Sequence, residues 1–150
     1  MKNRATAALA VVAALATLTA CNNSDVAPTK SASKPTTNRL TAKSVAKRLA
    51  EATGVSTLGN PTDNTASCSN KAVGKTPSQN DCAQLITTNT VSVYEFESST
   101  VSAHWVKTMK GWQQAGRFAL GYSARNQADT SNERRAELLS HLTKWVAAEK

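Results

Sequence analysis

Glu95 and Glu97, His104 and His141, and Trp105, Trp112 and Trp145 are the side chains of this chain best suited to catalysis or recognition. Paired carboxylates hydrolyse glycosidic bonds when they stand about 5 Å apart on either side of the scissile bond. Glu95 and Glu97 are spaced i, i+2, so on a strand they project from one side and stand next to each other. Such a pair does not flank a substrate, its like charges repel, and it reads as a solvated sheet end. The two histidines fall on different predicted helices, each bordering an apolar stripe. No His-Glu-x-x-His pattern and no nucleophile elbow accompanies them. Trp105 and Trp145 sit at core spacing on their helices. Trp112 follows Gly111 at a helix end, beside Lys110 and Arg117, and with Arg117 and Arg125 it makes the one constellation that reads as a binding surface. Asp63, Asp81 and Asp129 lie near turn formers, where aspartate bonds its own backbone. Gly74-Lys75-Thr76 matches the end of a phosphate-binding loop, but the earlier glycine that motif needs is Ser69.

The amino terminus carries a different kind of signal. Lys2 and Arg4 precede a run of Ala, Leu, Val and Thr without charge, closing on Leu18-Thr19-Ala20-Cys21. A cationic start, an apolar stretch and small residues at a junction describe an export signal. The stretch is shorter than the roughly 20 apolar residues of a membrane span, and ordinary secretion does not require Cys21. The tetrad resembles the lipobox of bacterial lipoproteins. That resemblance implies cleavage before Cys21, a diacylglyceryl group on its thiol, and a mature chain held on the extracytoplasmic face of the cell membrane. Two acyl chains hold a protein to a bilayer stably where one does so marginally.

Removal of residues 1–20 takes away Lys2 and Arg4 and lowers the net charge from +8 to +6. An exported chain rarely meets nucleic acid, so anionic headgroups and wall polymers are the nearer partners for this charge. With Cys21 lipidated, Cys68 and Cys82 remain as an even pair in an oxidising compartment, which predicts a disulfide. The bond closes a polar loop of about 15 residues, worth about 3 kcal/mol in the chain-entropy view. Metal binding by the pair needs two further ligands, and the histidines lie far along the chain; no metal or cofactor is expected.

Residues 21–38 are rich in Ser, Thr, Pro, Lys and Asn. Such a segment buries too little to offset its ordering entropy and reads as a disordered, flexible tether. Residues 39–150 then form a single α+β domain. Thr41 is a predicted N-cap for a helix whose Ala42, Val45, Ala46, Leu49 and Ala50 face one way, with Gly54 as the stop. Residues 55–79 read as loop, with a turn cluster at Asn60-Pro61-Thr62-Asp63-Asn64. Residues 84–88 and 91–96 are β-branched and aromatic around Asn89. Ser98 or Ser99 caps a helix to about Lys110, striped by Val101, Trp105, Thr108, Met109 and Trp112. Residues 117–123 alternate, with Phe118, Leu120 and Tyr122 on one side. A capping-box pattern at Thr130-Ser131-Asn132-Glu133 opens the last helix, with Leu138, Leu139, Leu142, Trp145 and Val146 along one face. The expected architecture is a two-layer domain of order α-β-β-α-β-α. It has about three strands, helices on one face, and a core drawn mostly from the last two helices.

The cysteine pair, the strand Val91-Ser92-Val93-Tyr94-Glu95-Phe96, the helix with Trp105 and the strand Phe118-Ala119-Leu120-Gly121-Tyr122 resemble those of small uncharacterised lipoproteins of actinobacteria, Streptomyces-like in composition. The resemblance implies a lipid-anchored exported domain and supports the disulfide; it implies no activity. The function expected is therefore a non-enzymatic interaction module, held by the lipid on Cys21, engaging an envelope protein or an anionic wall polymer. A wall- or sugar-directed enzyme using Glu95 or Glu97, and a protective or exclusion lipoprotein of a mobile element, are the rival readings.

Overall fold

The computed structural model describes residues 39–149. The expected leader, tether and lipidated Cys21 lie outside the described residues. Five strands form one antiparallel sheet with three α-helices: α1 (Ala42–Ala52), β1 (Thr62–Asp63), β2 (Cys82–Thr87), β3 (Ser92–Phe96), α2 (Ser99–Thr108), β4 (Gln113–Ala115), β5 (Phe118–Gly121) and α3 (Asn132–Ala148). The strand order is β1-β2-β3-β5-β4.

Two features overturn the expected fold. The sheet has five strands instead of three, because two short edge strands carry no apolar alternation. β1 lies inside the predicted turn cluster and pairs Thr62 with Thr87 and Asp63 with Ile86. β4 is Gln113-Gln114-Ala115, and it forms because Gly116 turns the chain back onto β5, with Ala115 opposite Phe118. Gly116 has φ +56°, and an added Cβ would stand 2.6 Å from Val146. A positive φ at the first of two loop residues is what a tight hairpin of this length needs.

The helices also cover both faces. Ile86, Val93, Phe118 and Leu120 pack with α1, Leu138 and Leu142 in one core. Leu85, Phe96 and Ala119 face the other way, against Val101, Trp105 and Val106 of α2. The result is three layers. Period-2 alternation gives each strand two faces, and β3 carries apolar side chains on both, Val93 on one and Tyr94 and Phe96 on the other, so both need cover. A register shift between Cys82 and Gln84 turns Cys82 and Leu85 to one side and lets Gln84 stand opposite Glu95.

The core is supplied by α1 and the strands more than by the last two helices. α1 buries Ala42, Val45, Ala46, Leu49 and Ala50, whereas α3 fully buries only Leu138 and Leu142 and α2 only Ser102. Small alanines let α1 approach the sheet, and its Thr41 cap with Ser44 satisfies the first turn. α3 is capped by Ser131, one residue later than the predicted pattern, with its hydroxyl accepting from Arg134 N–H. The Thr130 hydroxyl instead donates to the Thr90 carbonyl. No described helix is long and apolar enough to cross a membrane.

Candidate functional site

The residues between Cys68 and Cys82 form a structured loop. The two cysteines are bonded, with Cα atoms 5.5 Å apart. The Asp81 carboxylate accepts N–H bonds from Asn70 at 2.8 Å and Ser78 at 3.1 Å, closing the loop on itself. Trp105 of α2 donates its indole N–H to the Asn80 carbonyl at 2.8 Å, tying the loop to the helix.

Between loop and helix lies a cleft of about 610 Å³, lined by Val73, Lys75, Tyr94, Trp105, Met109 and Trp112 among others. Its floor is aromatic. Tyr94 and Phe96, two residues apart on β3, hold their rings 6.2 Å apart and nearly parallel, at 6°. Trp112 lies over Tyr94 at 4.2 Å, and Trp105 stacks 6.3 Å from Phe96 and 6.5 Å from Trp112. Such pairs contribute about 0.5–1.5 kcal/mol each beyond area burial, so the four rings brace one another as a continuous floor. Gly121 makes room for it, since a Cβ there would stand 2.9 Å from the Trp112 ring. Burial pushes the Tyr94 phenol up, against a weaker opposing bond with Ser92. Val73 and Met109 remain 47% and 37% exposed in the cleft lining.

The residues singled out in the sequence are distributed over the molecule. Trp112 belongs to the aromatic floor. Arg117 lies at a sheet end, where its guanidinium meets the Glu95 carboxylate at 3.4 Å, Glu149 at 3.0 Å and the Leu40 carbonyl at 2.6 Å. Arg125 has φ +51° and donates to the Asn60 carbonyl and the Thr62 hydroxyl, pinning the loop before β1. No described hydrogen bond or ring contact joins Trp112, Arg117 and Arg125. Glu95 is not the solvated residue expected. It is 6% exposed, and it also accepts the Ala42 N–H at 3.1 Å, at the positive end of α1. Glu97 lies past the end of β3 and is exposed. His104 is exposed and meets Trp105 edge-on, while half-buried His141 stacks on Trp145. Among the described residues no three of His, Cys, Asp and Glu converge as a metal site.

The cleft was only partly legible beforehand. Period-2 alternation in residues 91–96 places Tyr94 and Phe96 on one strand face, and helical spacing places Trp105 in a core stripe, but nothing local shows that the disulfide loop folds over them. No protein-family model, curated protein or solved structure matches the chain.

Proposed function

We propose that this chain is a lipid-anchored, extracytoplasmic, non-enzymatic binding module that takes its ligand in the cleft between the disulfide loop and α2. The observation that carries the reading is the lining of that cleft. It holds a fixed floor of four rings beside Val73 and Met109, two of the three large apolar side chains left exposed among the described residues. Binding sites are concave, largely apolar and furnished with a few polar groups; Asn70, Ser78, Asn80 and Lys75 supply these here. The one carboxylate in the lining, Asp81, is occupied by backbone N–H groups, and Glu95 is occupied by Arg117 and α1. These engagements fit a structural role for both acids better than a catalytic one. The lipobox-like leader supports the location, and an envelope protein or wall polymer is the partner class it makes accessible.

Photo-crosslinking on intact cells tests this. With the probe at Val73 or Met109 a discrete crosslinked product is expected, absent when the probe replaces Ala136 on α3. Identical products from all three positions, or turnover of purified cell wall by the mature chain, would contradict the proposal.

A further inference from the structure

A second surface, on the opposite side of the sheet from the cleft, has a charge pattern that the fold itself does not require. Between Asp25 and Glu51 the chain carries Lys30, Lys34, Arg39, Lys43, Lys47 and Arg48 and no acidic residue. Four of these fall at the start of the described domain. Lys43 and Lys47, one turn apart, share the outer face of α1 and are exposed. The Arg39 side chain is 61% exposed and that of Lys47 77%. Arg48 holds its guanidinium 6.0 Å from the Trp145 ring centre, and together with Arg39 it borders a cleft of about 540 Å³.

This order of charge works against the helix. A helix favours acids in its first turn and bases in its last, and α1 has neither. Lys43 stands at the positive end, and the only acid on the helix, Glu51, stands at the negative end. Two of the acids near the patch face its own cations, Glu51 at 3.8 Å from Lys47 and Glu95 at 3.6 Å from Arg39; Glu149 pairs with Arg117, Asp63 bonds Thr65 with Lys43 nearby, and no described ion pair holds Lys43 or Arg48. Local rules are broken where a surface serves something outside the fold.

We infer that the outer face of α1, from Arg39 to Arg48, docks on the anionic phospholipid headgroups of the membrane that holds Cys21, so that the aromatic cleft points away from the bilayer. The inference rests on the lipid-anchor reading for its geometry. Arg39 lies eighteen positions after Cys21, and whatever its arrangement that stretch of chain extends at most about 65 Å. Arg39, at the edge of the patch, is where the described domain joins the stretch that leads back to Cys21. Basic clusters beside a membrane attachment gain about fivefold in partition per cation, over a range set by salt. A lipid with a polybasic patch is a stable two-signal attachment. Trp145 adds a ring of the kind that settles at headgroup depth. α1 and α2 cover opposite sheet faces, so docking through α1 leaves the cleft open.

The test has two arms. In the first, the native lipidated protein is placed in vesicles of phosphatidylcholine alone, or with about a third phosphatidylglycerol to give a negative surface, and its amines are acetylated. Labelling of Lys43 and Lys47 should fall severalfold on the anionic vesicles, while Lys107 and Lys110 stay unchanged. Equal labelling on both vesicles, or protection of Lys107 and Lys110 instead, would overturn the inference. The second arm uses the full mature chain with Cys21→Ser and measures sedimentation with the same vesicles. Weak, salt-sensitive binding to the anionic vesicles is expected, reduced about 25-fold by Lys43→Gln with Lys47→Gln. Absence of binding, or binding indifferent to these substitutions, also overturns it. If the native chain proves unacylated the anchor reading fails alone, and the second arm still decides whether α1 is a membrane face.

Discussion

Arg117 connects the two ends of the described domain. One guanidinium bonds the Leu40 carbonyl, the buried Glu95 carboxylate on β3, and Glu149 at the end of α3; Glu149 in turn accepts the Leu40 N–H at 2.6 Å. Removing one partner of a buried pair leaves the other charge uncompensated, at about 3–5 kcal/mol. Arg117→Ala should lose stability toward the lower end of that range in a urea titration, because Glu95 is left inside with only the exposed Arg39, 3.6 Å away, as its cation. Glu149 gives the cluster a pH dependence. Burial opposes its ionisation, but the Leu40 N–H and Arg117 outweigh that and hold the carboxyl below its ordinary 4.5. A folded value below the unfolded one contributes stability that is complete above the unfolded value and is lost as pH falls through the folded one. Unfolding free energy should therefore decline below about pH 4.5, and Glu149→Gln should flatten that decline. At the outer face of α1 the expectation is opposite in kind. Lys43→Gln with Lys47→Gln should change stability by no more than about 0.5 kcal/mol, as exposed substitutions do, while weakening attachment to anionic vesicles.

At the scale of elements, the disulfide loop and α2 stand or fall together as the walls of the cleft. Replacing Cys68 and Cys82 with alanine should cost about 3 kcal/mol for a loop of this length. The Asn80 carbonyl would also be freed from Trp105, so a change in tryptophan fluorescence should precede global unfolding in denaturant; coincidence of the two would show that the loop does not brace the helix. The three helices and three long strands were legible because each carries an apolar stripe at its own period, although α2 leaves most of its stripe only partly buried. Thr41 showed as a cap, and Ser98 as one of two candidates with Ser99, because a hydroxyl just before a helix can accept a first-turn N–H. The edge strands were not legible: Thr62-Asp63 and Gln113-Gln114-Ala115 are strands only because a neighbour offers its hydrogen bonds. The second helical layer was missed for a related reason. Alternation in β3 showed that Tyr94 and Phe96 share a face, but that α2 would cover that face while α1 and α3 took the other is a tertiary fact. Glu95 misled for the same cause, since an acid next to a strand end reads as solvated until Arg117 and the start of α1 are brought to it.

For the whole molecule, the two sheet faces divide the proposed work. One carries α1, with its cations and the point where the chain enters from residue 38. The other carries the ring floor with Val73 and Met109 beside it. On the reading proposed above, the module would hold the membrane with one side and present the cleft with the other, and both assignments depend on where the chain is attached. The most direct measurement is the intact mass of the native product purified from its own membrane. A chain beginning at Cys21 and carrying a diacylglyceryl group is the result expected. A product retaining Met1, or one whose Cys21 thiol is free, would contradict the account at its root.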